Sequence, residues 1–403
     1  MTGPAATTPD ATAEPGDGSL QELRRELHAT AEVGLDLPVT QAIVLRELGA
    51  LDLDDVRAGA GLTSVTAVLC GTRPGPTIVL RADMDALPLH EQSGVAFAST
   101  NGAMHACGHD LHMAGTIGAV RRLVRRREDL AGTVVFAFQP GEEGYGGGKI
   151  MIDEGVLDAG GVRASECYSI HVWPTVPAGR FLTRTGAIMA GLNELRVSIA
   201  GVGGHASAPH LLRDTVPVMS EIVMALQSFV SRRVDVHDPV VLSVTRMNAE
   251  SVAINVIPER STFAASVRTL SPHSVALLAD ELPKLVHGIA EAHGCVAEVS
   301  FSEVYPVTVN TPREVARAID VLGRTFGTDR VAELDQSLMA SEDFAFFLRE
   351  VPGAFLLLGA RPAEVSEEDA FSPHSPHVLF DDGVLDAYAA ALEALALDAL
   401  RPT

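Results

Sequence analysis

The chain has 403 residues, longer than one hydrophobic core usually organises, so two domains are expected. Hydrophobic residues make up 47% and charged residues 20%, an ordinary globular balance, and the formal net charge of −22 argues against nucleic acid or an anionic membrane surface as partner. The cysteines Cys70, Cys107, Cys167 and Cys295 lie far apart without a CxxC pair, which fits a reducing compartment and argues against a disulfide framework.

Residues 1–18, rich in Ala, Thr, Pro and Gly, carry neither a basic start nor an apolar run. They read as a disordered tail rather than a secretory signal. No apolar run reaches the ~18 residues of a membrane-spanning helix, so a cytoplasmic, soluble protein is expected. From Ser19, "SLQELRRELHATAEVG" has a capping serine and a stripe of Leu20, Leu23 and Leu27, the pattern of an amphipathic helix. "SVTAVLCG" and "PTIVLRADMDALP" read as strands, the second ending in acidic residues. "MAGTIGAVRRLVRRRED" is helical, and "GTVVFAFQPGEEG" and "CYSIHVWP" are further buried strands. Apolar strands alternating with helices predict an α/β fold with a mixed central sheet flanked by helices. Functional groups in such sheets gather beyond strand C-termini, where Asp83, Asp85, Glu142, Glu143 and His171 are expected.

The middle of the chain changes character. "ELRVSIAG", "VVLSVTRM", "STFAASVRTL" and "CVAEVSF" read as strands, with helices in "DTVPVMSEIVMALQSFVSRR" and "SVALLADELPKLVHGIAEAHG". The order β-α-β-β-α-β is that of an α+β, ferredoxin-like split βαβ unit. It predicts an inserted domain over 190–303 within a discontinuous first domain, 19–189 and 304–403. The latter resumes with "EVARAIDVLGRTFG", "GAFLLLGA" and a C-terminal helix, "GVLDAYAAALEALALDAL".

The densest chemical signal is "MHACGHDLHMAG", with His105, Cys107, His109, Asp110 and His112 inside eight positions. Cys107 and His109 are two apart and would diverge on a helix, so they can meet one ion only where the chain bends, as Gly108 permits. Thiolate with imidazole suits Zn²⁺ and related first-row ions. His105, Asp110 and His112 are candidates for orienting such ligands. The bland alternative is a polar helix start with a buried cysteine. In "QPGEEG" the adjacent Glu142 and Glu143 diverge, so one can hold metal while the other acts as general base; alone, such a pair is usually solvated surface. Asp83 and Asp85 share a side of an extended segment. His171 by itself is more often a core residue, and His374 and His377 of "HSPH" a surface loop. Together these sites supply the ligands of a two-metal hydrolytic centre.

At this point "RADMDALP", "HACGHDLH", "QPGEEG", "IHVWP", "GVGGHASAPH", "NVIPE", "SEDFAFF" and "HSPH" stand in the order found in a known enzyme group. From about residue 20 to 395 the chain resembles the metal-dependent N-acyl-amino-acid amidohydrolases, such as hippurate hydrolase and the indole-acetyl-amino-acid hydrolases. These belong to the aminoacylase and carboxypeptidase superfamily, with a zinc-peptidase-like catalytic domain and an inserted dimerisation or lid domain.

The resemblance implies two divalent ions (Zn, Mn, Co or Ni) held by Cys107, His109, Glu143, His171 and His374, with Cys107 able to bridge. It implies Glu142 as general base and then acid, and Asp85 as the residue that orients the site. His205 would reach the active site of a partner subunit as oxyanion donor, which implies a homodimer or higher homo-oligomer. Asn255 and Arg268 would hold the substrate, possession of a free carboxylate making arginine the apt anchor. Two features depart from the pattern: "LHATAEVG" replaces a His-Pro-Glu run, and Asp83 stands where distant carboxypeptidase-like relatives have a ligand histidine. Three rivals remain. They are a dipeptidase or aminopeptidase of the same superfamily, a thiol hydrolase with Cys107 as nucleophile beside His109 or His112, and a non-catalytic binding protein.

Overall fold

Ser19 Oγ accepts from the Glu22 amide at 3.3 Å and opens the first helix where the sequence places its cap. The computed structural model describes residues 19–401, so the tail expected over 1–18 lies outside the described residues. The chain runs through α1 (Leu20–Ala29), α2 (Pro38–Gly49), β1 (Asp55–Ala58), β2 (Val65–Cys70), β3 (Arg73–Asp83), α3 (His109–Arg125), β4 (Ala131–Gln139) and α4 (Gly147–Asp153). It continues with β5 (Glu166–Pro177), β6 (Phe181–Thr183) and β7 (Gly186–Met189). Next come β8 (Gly191–Ala200), β9 (Gly204–His205), α5 (Thr215–Arg233), β10 (Val241–Ala249), β11 (Val256–Ile257), β12 (Arg260–Thr269), α6 (Pro272–Ala292) and β13 (Val296–Tyr305). The last stretch holds β14 (Thr308–Asn310), α7 (Pro312–Phe326), β15 (Val331–Glu333), α8 (Ala345–Glu350), β16 (Gly353–Arg361) and α9 (Leu385–Ala399).

Eight strands form one sheet in the order β1-β2-β4-β3-β5-β16-β6-β15. Its centre, β4-β3-β5-β16, is parallel, while β2 and β6 join antiparallel, so the sheet is mixed as expected. The central strands are apolar on both faces because helices cover both. Along β3, Ile78, Leu80 and Ala82 join a core with Leu111, Ile117 and Val120 of α3 and Leu385, Leu392 and Leu395 of α9. The alternate residue Val79 joins Met151 of α4 and Phe347 of α8 on the other face. This period of two sends every second side chain to a different helical layer.

The strands between 191 and 305 make a separate four-stranded sheet, β10-β12-β8-β13, antiparallel throughout. Phe263, Ala265 and Val267 alternate along β12 and bury one face under Ile222 and Leu226 of α5 and Leu278, Leu282 and Val286 of α6. The other face carries polar residues such as Arg196, Ser198 and Thr262. Two short ribbons, β9 with β11 and β7 with β14, complete the pairing. Among the described residues no helix is long and apolar enough to cross a membrane.

Candidate metal centre

The parallel strands deliver their C-terminal ends to one place. β3 and β4 finish side by side, Asp83 opposite Gln139. Asp85 and the Glu142–Glu143 pair follow in the loops, as expected at a topological switch. His171 differs from expectation: it sits within β5 rather than beyond it. Pairing with β3 ends at Ser169 opposite Arg81, so His171 comes level with Asp83, the last residue of β3, just past the paired stretch. Gly108, at φ 88°, makes the left-handed turn between Cys107 and the first residue of α3, His109. A Cβ at Gly108 would stand 2.4 Å from Val172 Cγ2, so both the dihedral and the space require glycine. His374 is the only non-glycine residue with positive φ among the described residues, at 70°, and its amide donates to the Ala106 carbonyl at 3.0 Å. Such strain persists where surrounding contacts over-determine a functional side chain.

Two histidines leave Nε2 as the atom for a ligand for the same reason. His109 Nδ1 lies 2.8 Å from the Asp85 carbonyl, and His171 Nδ1 lies 2.7 Å from the Val172 carbonyl. A carbonyl only accepts, so each Nδ1 carries a proton and Nε2 is the atom left for a ligand. On His109, burial is outweighed by Asp83 and Asp85, which raise the imidazole to about 10, so a cation there displaces the Nε2 proton. His171 Nε2 faces Cys107 Sγ at 3.3 Å, and His109 Nε2 is buried without a hydrogen-bond partner. His374 Nε2 stands 3.2 Å from Glu143 Oε1. Cys107 belongs to two groups whose donor atoms all lie within 4.8 Å of one another, one with His109 and His171, the other with Glu143 and His374. An orphaned imidazole nitrogen beside thiol and carboxylate donors, with one sulfur common to two groups, fits a pair of divalent ions.

Asp85 ties this set together. Its Oδ1 accepts from the Glu142 amide at 2.9 Å and its Oδ2 from the Glu143 amide at 3.0 Å, while its backbone carbonyl holds His109. Behind it, the fully buried Arg81 reaches Asp83 at 2.7 Å, Glu342 at 3.0 Å and Asp343 at 2.7 Å. Asp343 also accepts from Gln139 and from the Gly148 amide, and its own amide points to Glu142 Oε1 at 3.4 Å. One guanidinium amid so many carboxylates leaves a surplus of negative charge. Burial first, then the charges of Glu342, Glu143 and Asp343, push the Glu142 carboxyl well above the ordinary range. Burial lifts Glu342 to about 7 despite Arg81. Burial also raises the Cys107 thiol, helped by Glu143 and Glu142. For Glu143, burial is outweighed by the His374 hydrogen bond and the His109 charge, which hold it below the usual value. Bound cations would discharge this surplus and displace the protons it retains.

The site opens into a cavity of about 530 Å³. Cys107, Glu142, Glu143, His171 and His374 line it, with Trp173, Met189 and Leu192 as apolar wall. Arg268 of β12 also reaches it and donates to Ser341 Oγ at 2.6 Å. The expected His205 and Asn255 do not line this cavity. They stand together instead, both exposed, joined by the β9–β11 ribbon and the Ala206 amide to Asn255 carbonyl bond of 2.9 Å. Of the flanking histidines, His112 lies with Nδ1 2.5 Å from Asp83 Oδ1 and accepts from the Val172 amide at Nε2, at 2.8 Å. Asp110 turns away from the ligands to Arg24 and His28, and both nitrogens of the buried His105 lack partners. His377 is exposed, with Nδ1 3.1 Å from the Gln92 carbonyl, and does not line the cavity. Sequence reasoning left Arg81, Glu342, Asp343 and Tyr305 without roles. A lone arginine inside the apolar run of "IVLRADMD" was the available signal, since a buried arginine needs carboxylates around it.

A family model described as Peptidase family M20/M25/M40 matches residues 79–398. Thermostable carboxypeptidase 2 of Saccharolobus solfataricus is 34% identical over 381 residues, 93% of this chain and 94% of that protein. The N-acetyldiaminopimelate deacetylase of Leuconostoc citreum is 35% identical over 372 residues, 91% of this chain and 93% of that one. Among solved structures, the YXEP protein of Bacillus subtilis, described as a dinuclear metal binding peptidase from M20 family, superposes with a TM-score of 0.81. It is 29% identical, with 94% of this chain and 97% of that chain covered. With the same fold, a donor set for two ions and a family match over most of its length, the chain belongs to the hydrolytic enzymes of peptidase family M20/M25/M40.

Proposed function

We propose that the protein hydrolyses the amide bond of N-acylated amino acids, releasing a carboxylic acid and a free amino acid. The observation that carries this reading is the buried Glu142 carboxyl beside the donor set Cys107, His109, Glu143, His171 and His374, in a cavity with an arginine and an apolar wall. Two bound divalent ions, Zn, Mn, Co or Ni, would supply Lewis acidity for the carbonyl and lower the pKa of water. Glu142 takes the proton of the attacking water and delivers it to the leaving nitrogen. Its raised proton affinity suits the second half of that cycle. Asp85 keeps Glu142 and Glu143 in register through their amides. Trp173, Met189 and Leu192 receive the acyl group, and Arg268 anchors the amino-acid carboxylate.

Residues 190–303 form, in this reading, a ferredoxin-like dimerisation and lid domain; their separate core and strand order support it. His205 and Asn255 serve the site of a partner chain, His205 as oxyanion donor, and their joint exposure away from their own cavity supports that assignment. Four cysteines without a disulfide among the described residues support a reducing, cytoplasmic setting. The carboxypeptidase relative favours one second reading, cleavage of peptides with a free C-terminus.

The test is hydrolysis of N-acetyl, N-benzoyl and indole-acetyl amino acids and of free dipeptides, by chelator-stripped protein before and after adding Mn²⁺, Zn²⁺, Co²⁺ or Ni²⁺. Metal-restored cleavage of the acylated substrates is expected. Cleavage of free dipeptides alone would select the peptidase. Full activity in verified metal-free protein would overturn the metal mechanism and return Cys107 as nucleophile.

A further inference from the structure

Tyr305 is the last residue of β13, where the chain leaves the strands of the inserted sheet. Regular alternation would set it on the face of Ala297, Val299 and Phe301, which pack against the core under α5 and α6. The register against β8 breaks between Glu303 and Tyr305, and one extra residue re-aims the side chain. The ring, 4% exposed, lies edge-on to Phe346 with centroids 6.2 Å apart and borders the cavity. Its hydroxyl donates to the Glu142 carbonyl at 2.5 Å and accepts from the Gly144 amide at 2.7 Å, with the Gly146 amide at 3.4 Å.

Those three residues span the loop between β4 and α4. Gly141, Gly144 and Gly146 hold positive φ there, at 74°, 92° and 67°, so the loop has little intrinsic stiffness. Asp85 grips it at the Glu142 and Glu143 amides from the sheet side. The second grip, on the Glu142 carbonyl and the Gly144 amide, comes from a strand that belongs to the inserted sheet. We propose that Tyr305 is a positioning residue for Glu142: its hydroxyl clamps the base-bearing loop and couples the placement of that carboxylate to the orientation of the inserted sheet. This rests on the reading of Glu142 as the base. The hydroxyl has its donor and acceptor capacity engaged by the loop, so it acts through Glu142 and not on substrate.

Tyr305→Phe keeps the ring and removes only the clamp. The expected result is a kcat lower by about 10- to 100-fold, the scale of a misplaced catalytic group. KM should stay within about twofold, since the substrate-holding groups are untouched. Metal content per chain should equal that of the parent. Hydrogen exchange at the amides of 141–147 should quicken in the same variant, with or without substrate. Tyr168→Phe is the control, because it deletes another buried hydroxyl, bonded to Glu166 at 2.8 Å near the start of β5. It should leave both readouts unchanged. An unchanged kcat in Tyr305→Phe, or a loss matched by lost metal, overturns the proposal. If the parent cleaves no substrate, the amidohydrolase reading fails separately. The exchange rates still decide the clamp, and unaltered exchange at 141–147 overturns it.

Discussion

At His28 the folded protein holds a proton that the unfolded chain gives up near neutrality. Nδ1 lies 2.8 Å from Asp110 Oδ2 and Nε2 3.0 Å from Glu91 Oε1, with Arg24 on the same Asp110 oxygen at 2.6 Å. Burial opposes the charge, but Asp110 and Glu91 outweigh it and raise the imidazole to about 9. A folded pKa above the unfolded value of about 6.5 means that the stabilisation is full below pH 6.5 and disappears as pH rises through about 9. We expect the thermal midpoint of the chelated protein to fall between those values, and that of His28→Gln to be lower at pH 6 and nearly level with the parent at pH 9.5. Melting curves across that range check it, and a gap that stays constant with pH would show a neutral His28. This cluster occupies the place where "LHATAEVG" departs from the family pattern. It pins α1 to α3 one residue from His109, through Asp110.

At the scale of elements, the site depends on one turn. Gly108 ends the loop and starts α3, and it sets the angle between Cys107 and His109 that a helix alone would not allow. Gly108→Ala introduces a Cβ 2.4 Å from Val172 Cγ2 and 3.2 Å from Phe380 Cε1 in a left-handed conformation. The cost is about 1–3 kcal/mol, which corresponds to a fall of about 2–10 °C in the melting temperature. Metal content should fall with it, because relief of the clash moves Cys107 relative to His109. Elemental analysis beside calorimetry checks both, and a variant that melts early yet binds two ions per chain would show that the turn serves stability alone.

At the scale of the molecule, the question is whether each cavity is completed by a second chain. His205 and Asn255 are exposed on the β9–β11 ribbon, near the exposed apolar Val252 and Ile254. Glu142→Gln and His205→Ala should each be nearly inactive alone. Mixed and reassociated, they should recover about a quarter of parental activity if Glu142 of one chain works with His205 of the other. Recovery measured after mixing, against each variant alone, decides between sites that are shared and sites that are self-contained. No recovery in verified mixed dimers would remove His205 from the partner's site.

Local sequence was enough wherever a residue's part is set by its neighbours along the chain. The continuous apolar runs of β3 and β4, the alternation along β12, the serine cap of α1 and the glycine between Cys107 and His109 all follow from short-range sterics and burial. The candidate donors Cys107, His109, Glu143, His171 and His374 follow from the family resemblance of their motifs, since taken singly His171 reads as a core residue and His374 as a surface loop. Tertiary structure decided what depends on long-range contact. Arg81 meets Glu342 and Asp343, which lie more than two hundred residues away in sequence. Tyr305 reaches Glu142 only because a bulge turns it, and His171 comes level with Asp83 only through the pairing of β5 with β3. Asp110 spends its charge on α1 rather than on the ligands. Each of these is a pairing between distant segments, and buried charge and register are properties of the pair, which no single stretch of sequence contains.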